Sequence, residues 1–233
     1  RKQMQMHLAD PVVDRINAEL GRQKQVIVLH NRRGYAPYME CKQCAYIPKC
    51  TNCDVSLTLH KRLGVLSCHY CGYTIAIPSS CPACGQKSLV EIGVGTERVE
   101  DEFKLLFPNA RIMRMDQDTT RSKHHYEQII SEFGEHNADI LIGTQMVSKG
   151  LDFPNVSTVV VLNCDNLMNQ PDFRSCEYAY QLLEQVSGRA GRKGERGEVF
   201  VQTTNIDNKL FENVRGHDYE RFYKSQVRER EMF

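Results

Sequence analysis

The sequence predicts an α/β fold, a doubly wound parallel sheet into which a cysteine-rich module is inserted. Short apolar strands alternate with amphipathic helices along most of the chain, which is typical of such sheets. Eight of the ten cysteines fall between Cys41 and Cys84 and interrupt that alternation. The length of 233 residues and the hydrophobic fraction of 41% suit one large domain or two small ones with a real core.

The first elements lie on either side of the cysteines. QVIVLH (residues 25–30) reads as a buried strand of β-branched residues, and SLVEIG (88–93) reads as another strand. Gly93, Gly95 and Thr96 open a helix that Pro108 ends. The apolar residues that share one face of this helix are Val99, Phe103 and Leu106.

The later elements continue the alternation. RIMRM (111–115), DILIG (139–143) and TVVVLN (158–163) are predicted strands, and the last is apolar enough for a central parallel strand. The final predicted strand is EVFVQT (198–203). Two helices are predicted from apolar residues at helical spacing: Tyr126, Ile129, Ile130 and Phe133 in one, and Ala179, Leu182, Leu183 and Val186 in the other.

Charge and hydropathy limit how the chain can bind a nucleic acid or a membrane. The net charge is only +1, so a nucleic acid would have to meet a local basic patch. We find no signal segment and no apolar run long enough to cross a bilayer. We therefore expect no membrane partner. We also expect the chain to be a piece of a longer cytoplasmic protein.

The cysteines predict two structural zinc sites. They form four C-x-x-C pairs, and two such pairs complete a tetrahedral site without an open position for chemistry. The alternative is a disulfide framework, which requires an oxidising compartment. His60 and His69 lie in the same region, and we interpret them as surface histidines. The pairs are Cys41/Cys44, Cys50/Cys53, Cys68/Cys71 and Cys81/Cys84.

The pairing of the four C-x-x-C units is open between a nested and a sequential arrangement. The spacing from Cys53 to Cys68 suits a zinc ribbon, which favours the nested arrangement. One site then consists of Cys50, Cys53, Cys68 and Cys71, and the other of Cys41, Cys44, Cys81 and Cys84. Cys164 and Cys176 lie outside this block and are predicted to be small buried apolar residues.

Two segments indicate phosphate chemistry. QVSGRAGR (185–192) places Arg189 and Arg192 three residues apart, a spacing that suits a phosphate. GTQMVSKGLDFP follows the strand DILIG, and ligands bind at the carboxyl ends of such strands. A phosphate-binding G-x-x-x-x-G-K-[ST] loop is absent from the sequence. The alternative for the arginines is a solvated basic turn that Lys193 and Arg196 extend.

These segments carry a family resemblance. ILIGTQMVSKGLDFPNV resembles motif V of superfamily 2 helicases, and QVSGRAGR resembles motif VI. HNRRGYAP, GVGTERVEDEF, MDQDTT, PDFRSCEYAYQLLEQVSGRAGR and the cysteine block together resemble the primosomal replication-restart DNA helicases. The resemblance implies a RecA-like second helicase lobe (1–40 and 86–205), an inserted zinc module (41–85) and a helical tail (206–233).

The resemblance also implies roles for individual residues. Arg192 would be the arginine finger, Arg189 its companion on the phosphate, and Gln185 a residue that couples the site. Gly150 and Asp152 would respond to the nucleotide. The residues implied in nucleic-acid contact are Thr144, Gln145 and Lys149, with Asn31, Arg32 and Arg33 at the end of the first strand, where a charged strand exit is the alternative.

By the same resemblance, ATP and Mg²⁺ bind only together with a first lobe, so this chain alone should be inactive. DEFK (101–104) mimics an acidic helicase motif, but it lies inside a helix and is interpreted as a solvated face. The implied partners are forked and single-stranded DNA, primosome proteins and single-strand-binding proteins. The resemblance also implies a protein that is a monomer and works in the cytoplasm at the nucleoid. The alternative function is a zinc-dependent DNA or protein interaction module on a non-motor lobe.

The surface of the zinc module has two open interpretations. Its tyrosines, with nearby basic residues, can form a stacking and phosphate-binding surface. Alternatively, the tyrosines pack a small core built around the metals. The residues concerned are Lys42, Lys49, Lys61, Arg62, Tyr46, Tyr70 and Tyr73.

Overall fold

A computed structural model describes residues 4–31, 37–116, 118–120, 122–148, 153–170, 172–188 and 197–231. The strands are β1 (Met4–Gln5), β2 (Leu8–Ala9), β3 (Gln25–His30), β4 (Tyr38–Cys41), β5 (Thr58–His60), β6 (Val65–Ser67), β7 (Thr74–Ala76), β8 (Leu89–Ile92), β9 (Ile112–Met115), β10 (Ile140–Gly143), β11 (Val156–Leu162) and β12 (Glu198–Val201). The α-helices are α1 (Asp10–Gly21), α2 (Thr96–Leu106), α3 (Lys123–Gly134), α4 (Asp165–Met168), α5 (Ser175–Ser187), α6 (Lys209–Arg215) and α7 (Tyr219–Glu231). Two 3-10 helices cover Lys61–Leu63 and Gln145–Ser148.

A five-stranded parallel sheet forms the centre of the lobe, in the order β12-β11-β3-β10-β9. The predicted parallel α/β sheet is therefore confirmed. Strand β3 lies in the middle, and all six of its residues are buried. A parallel strand covered on both faces needs an apolar side chain at nearly every position, which explains the uninterrupted QVIVLH and TVVVL sequences.

Successive residues of the sheet point into two separate apolar layers. Val26 and Val28 of β3 pack with α1 and α2, whereas Ile27 and Leu29 pack with α3 and α5. The helical residues at predicted spacing fill these layers, as Phe103 does on one face. Because strand side chains alternate between faces, each strand stabilises both layers at once.

The strand β8 does not join the parallel sheet. It pairs antiparallel with β4, so that Tyr38 lies opposite Ile92 and Cys41 lies opposite Leu89. This two-stranded stem carries the chain out to the cysteines and back again. The insertion therefore begins and ends side by side, which leaves the parallel sheet uninterrupted.

The cysteine-rich insertion has its own small sheet and core. Strands β5, β6 and β7 form an antiparallel meander, and Leu57, Leu59 and Leu66 are fully buried beneath it. Few apolar residues are available in a module of this size, so bound metal is expected to supply much of its stability.

The carboxyl-terminal helices α6 and α7 pack on the sheet layer that contains α5. Phe222 of α7 stacks on Tyr180 of α5, with ring centroids 4.4 Å apart. Cys164 is fully buried, as predicted, and Cys176 is partly buried against the same layer. None of the helices in the described ranges has the length and apolar composition that a bilayer crossing requires.

Candidate functional site: two metal centres beside the carboxyl edge of the sheet

Each of the four C-x-x-C units folds into the same tight turn. The backbone N–H four residues after the first cysteine donates to that cysteine's carbonyl oxygen over 2.8–3.1 Å. This fourth residue has a positive φ in every turn, and it is Gly in two of them. The residues are Ala45 (φ 56°), Asp54 (52°), Gly72 (77°) and Gly85 (75°). The repeated turn brings both thiols of a unit to one side, where they can share a metal.

The structure brings the eight cysteines together as two quartets in the nested arrangement. The outer quartet consists of Cys41, Cys44, Cys81 and Cys84, and the inner quartet consists of Cys50, Cys53, Cys68 and Cys71. Within each quartet the four sulfur atoms lie within 4.8 Å of one another.

The spacing of the sulfur atoms fits zinc. A tetrahedron with Zn–S bonds of about 2.3 Å has S···S edges of about 3.8 Å. The Sγ atoms of Cys41 and Cys84 are 3.7 Å apart, and those of Cys50 and Cys71 are 3.4 Å apart. Four thiolates fill all positions of a tetrahedral ion, so these sites suit a structural metal and leave no open position for a substrate.

Polar groups beside the quartets orient the sulfur atoms. Ser88 Oγ lies 2.9 Å from Cys41 Sγ. In the inner quartet, Asn52 donates its backbone N–H to Cys50 Sγ at 3.4 Å and its side-chain amide to Cys71 Sγ at 3.7 Å. Such donors favour thiolates and hold metal ligands in place.

The carboxyl edge of the parallel sheet gathers the predicted nucleic-acid residues that the structure describes. Strand register aligns Gly143 with Leu29 on one side and with Met115 on the other. Asn31 and Thr144, which follow the neighbouring strands β3 and β10, therefore lie at one edge. Thr144 is 8% exposed, whereas Gln145 is exposed at the start of its 3-10 helix. Residues 144–147 are called the edge segment below.

The helix α5 packs against the 3-10 helix of the edge segment. Gln185 lies in the last turn of α5 with its side chain exposed, so motif VI begins inside the helix. The other predicted site residues of this lobe lie outside the described residues: Arg32, Arg33, Lys149, Gly150, Asp152, Arg189 and Arg192.

The interpretation of His60 as a surface histidine is wrong. Its side chain is 2% exposed and lies at the boundary between the zinc module and the lobe. Its Nδ1 atom is 3.3 Å from Asp118 Oδ2 and 3.9 Å from Glu97 Oε1. His69 is exposed, as predicted, and its ring meets that of His60 edge-on at 5.0 Å.

The carboxylates around His60 favour its charged form. Burial lowers the pKa of His60, but the nearby carboxylates of Asp118 and Glu97 outweigh burial and raise that pKa to about 9. The close contact with His60 holds the pKa of Asp118 below its usual range. Burial raises the pKa of Glu97, and His60 and Arg114 outweigh it and leave that pKa lowered.

A buried carboxylate anchors the turn next to His60. Asp116 is 0% exposed; its Oδ2 accepts hydrogen bonds from Thr96 Oγ1 and from the Arg114 guanidinium, both at 2.6 Å. Its Oδ1 accepts from the backbone N–H groups of Asp118 and Thr119 at 3.0 and 3.1 Å. This arrangement gives Asp116, Asp118 and Thr119, which belong to one of the segments that carry the family resemblance, a structural role.

The interpretation of DEFK as a solvated helix face also needs correction. The segment lies inside α2, as predicted, but Glu102 and Phe103 are buried. Glu102 pairs with His7 at 2.7 Å and with Arg98 at 3.2 Å. Its carboxylate therefore has a structural partner on each side.

The basic residues and tyrosines of the zinc module are interpreted either as a stacking and phosphate-binding surface or as part of a packed core. Lys49 and Arg62 form ion pairs with Asp54 and Glu100, at 3.2 and 3.1 Å. Tyr73 packs against the small core, whereas Tyr70 is 83% exposed on the Cys68–Cys71 turn. Packing accounts for Tyr73, whereas the contact surface that would include the exposed Tyr70 stays a prediction.

Comparison with known proteins identifies the class. Residues 87–194 match the helicase conserved C-terminal domain, and residues 50–75 match the PriA DNA helicase Cys-rich region (CRR) domain. The chain is therefore a helicase carboxyl-terminal lobe with a cysteine-rich insertion. It is 43% identical over 219 residues to the replication restart protein PriA of Bacillus subtilis (strain 168), covering 94% of this chain and 27% of that relative.

A second relative shows a similar identity over nearly the whole chain. The PriA protein of Haemophilus influenzae is 39% identical over 224 residues, covering 96% of this chain and 31% of the relative. The chain belongs to the PriA family and spans roughly a quarter to a third of the length of these curated relatives. A solved structure of Mycobacterium smegmatis helicase Lhr bound to ssDNA and AMP-PNP aligns over 90% of this chain and 19% of that one, at 15% identity and a TM-score of 0.43, too weak a similarity to support an inference.

Proposed function

We propose that this chain is the second motor lobe of an ATP-dependent DNA helicase that acts in replication restart and primosome assembly, stabilised by two structural zinc ions. The observation that carries the proposal is the 43% identity to a PriA relative across 94% of the chain, a span that includes the GRAGR arginine pair. In this proposal the lobe comprises residues 1–40 and 86–205, the zinc module 41–85 and a helical tail 206–233.

The arginines would act on the phosphates of ATP. Arg192 is proposed as the arginine finger, which neutralises charge that develops on the transferring phosphoryl group. Arg189 would contact the phosphate already in the ground state, and Gln185 would couple that site to the rest of the lobe. The packing of α5 against the edge segment supports this coupling, because it joins the helix that leads to the arginines with the segment proposed to touch DNA.

The DNA contacts are proposed along the carboxyl edge of the sheet. Thr144, Gln145 and Lys149 would contact the nucleic-acid backbone, together with Asn31, Arg32 and Arg33. Gly150 and Asp152 would respond to the bound nucleotide. The clustering of the described members of this set after neighbouring strands supports the proposal, since ligands of parallel sheets bind at that edge.

ATP and Mg²⁺ would bind only when a first lobe supplies the phosphate loop and the acidic motif, which this sequence lacks. Forked and single-stranded DNA, primosome proteins and single-strand-binding proteins are the proposed partners of the whole protein. We propose a monomer that works in the cytoplasm at the nucleoid.

The test compares ATP hydrolysis by the isolated chain with hydrolysis by the longer protein that also carries the first lobe, each with saturating single-stranded DNA. The isolated chain is expected to show no DNA-stimulated hydrolysis, and the longer protein is expected to show it. Hydrolysis by the isolated chain would contradict the proposed half-site. Its absence from a folded, DNA-binding longer protein would favour the alternative of a zinc-dependent interaction module on a non-motor lobe.

A further inference from the structure

The zinc module is docked on the lobe through charged groups. Arg62, on the connection between β5 and β6, reaches across to α2, where it lies 3.1 Å from Glu100 Oε2 and 3.2 Å from Asp101 Oδ1. Lys61 lies 3.4 Å from Glu91 of the stem. The β5–β6 hairpin is thus held to the lobe by contacts that are far apart in sequence.

The charges of the two sides are complementary. Five carboxylates form the lobe side of this cluster: Glu97, Glu100, Asp101, Asp116 and Asp118. Among the described residues of the lobe, Arg114 and Lys104 pair with members of this group. The hairpin supplies two further cations, His60 and Arg62. Buried carboxylates are strongly destabilising when their partners are removed, so the cluster needs the hairpin in place.

His60 connects the inner quartet to this cluster. Its ring meets the ring of His69, which lies inside the Cys68–Cys71 turn of the inner quartet. Its Nδ1 atom lies 3.3 Å from Asp118 Oδ2. The imidazole therefore contacts both a metal-binding turn and a turn of the lobe.

The turn of the lobe is in contact with the edge segment. We call Asp116, Asp118, Thr119 and Thr120 the acidic turn. Thr120 Oγ1 lies 3.6 Å from Met146 Sδ. The backbone N–H of Thr144 donates to the carbonyl oxygen of Met115, directly before the turn, at 3.4 Å. A continuous set of contacts thus runs from the inner quartet through His60 and the acidic turn to the edge segment.

We infer that His60 is a positioning residue that couples the inner quartet to the edge segment, so that metal in the inner quartet orders the acidic turn and residues 144–147. The outer quartet is not expected to have this role, because its cysteines close the stem formed by β4 and β8 and take part in none of the contacts named above between His60 and the edge segment. The inference stands whether or not the lobe takes part in ATP hydrolysis, because it concerns the ordering of the chain itself. Coupling of this kind is demonstrated only by a response at the distant segment, and amide hydrogen exchange can measure local opening of that segment.

The first experiment measures amide hydrogen exchange by mass spectrometry on the zinc-loaded chain. His60→Gln and Asp118→Asn each remove the charged contact while keeping a polar side chain of similar size. Both variants are expected to retain two zinc ions, and exchange should become at least tenfold faster in residues 118–120 and 144–147. Exchange in β11 should be unchanged. His7→Gln is the matched control, because it removes a histidine–carboxylate pair with Glu102 of the same helix α2, and neither member of that pair belongs to the zinc module.

The second experiment removes one exposed ligand from each quartet in turn. Cys71→Ser disrupts the inner quartet and Cys44→Ser disrupts the outer one; both cysteines are exposed, so the changes are matched. Cys71→Ser should reproduce the faster exchange in residues 144–147, and Cys44→Ser should not.

Four outcomes would overturn the inference. They are unchanged exchange in residues 118–120 and 144–147 with two zinc ions retained, faster exchange confined to the hairpin, an equal increase in β11, and equal effects of the two cysteine variants. If His60→Gln does not fold, Asp118→Asn decides the question, because it leaves the imidazole in place.

Discussion

Gly143 provides a test of the packing at the carboxyl edge. It ends β10 immediately before the edge segment. A Cβ atom at this position would lie 2.3 Å from Val147 Cγ1 and 2.5 Å from the carbonyl oxygen of Met115. Neither distance is tolerable for a carbon atom, and the Met115 oxygen belongs to the backbone of the neighbouring strand, so it cannot rotate away. Gly143→Ala must therefore displace β9, β10 or the edge segment.

The expected loss of stability follows from that displacement. Overpacking a well-packed core by one methyl group destabilises by about 1–3 kcal/mol. For a chain of this size each kcal/mol lowers the melting temperature by roughly 2–4 °C, so the predicted decrease is about 2–12 °C. Gly21→Ala is the matched control, since no atom lies within 4 Å of its Cβ position. That substitution at the end of α1 should change stability by less than about 1 kcal/mol.

The assay is thermal unfolding of the zinc-loaded chain by circular dichroism, with urea unfolding of the same samples. Gly143→Ala should also expose the edge segment to faster hydrogen exchange. Equal melting temperatures for Gly143→Ala and the wild type would refute the close approach of Val147 and Met115 to Gly143. A decrease as large in Gly21→Ala would show that the loss reflects glycine replacement in general.

Three further predictions concern metal, pH and salt. Purified without chelator, the chain should contain two zinc ions, and chelation should unfold the insertion while the parallel sheet remains; elemental analysis that returns one metal ion or none would contradict this. The folded-state pKa of His60 is about 9 against an ordinary 6.5, so its contribution to stability is complete below about pH 6.5 and is lost as pH rises through 9. With each pKa unit worth about 1.4 kcal/mol, that contribution is at most on the order of 3 kcal/mol. The stability difference between the wild type and His60→Gln should shrink from pH 6.5 to pH 9.5, and a constant difference would be contrary evidence. Single-stranded DNA should bind weakly and lose affinity steeply with added salt, as measured by fluorescence anisotropy, whereas a flat salt dependence would exclude phosphate contacts as the source of binding.

Much of the fold could be predicted because its signals are local. The strands QVIVLH and TVVVL carry continuous apolar sequences, which a strand covered on both faces requires. The spacing of the C-x-x-C units alone predicts that they bind metal. The nested grouping of the cysteines could be preferred from the loop between Cys53 and Cys68, and the structure brings the quartets together in that way.

The charged interface could not be predicted, because its partners are distant in sequence and its residue types usually face solvent. His60 and Asp118 are 58 residues apart by their numbers, and no periodic pattern links them. Aspartate and glutamate are rarely buried unless paired, and histidine is buried only at intermediate frequency, so sequence alone does not favour a buried position for any of them. Strand β8 was also ambiguous, since a short apolar strand does not reveal whether its neighbour is parallel or antiparallel.

The most direct test of the motor-lobe proposal is steady-state ATP hydrolysis by the longer protein carrying Arg192→Ala, measured at saturating DNA beside a DNA-binding titration. An arginine finger acts mainly on the transition state, so turnover should fall about 10³- to 10⁵-fold while DNA affinity is nearly unchanged. Arg192→Lys should not restore turnover, because an ammonium cannot reproduce the planar fork of arginine. Arg196→Ala, four residues further along the same basic segment, should retain turnover near the wild-type level. If Arg192→Ala keeps more than about a tenth of wild-type turnover, far above that range, then Arg192 is not the finger and the assignment of motif VI is wrong.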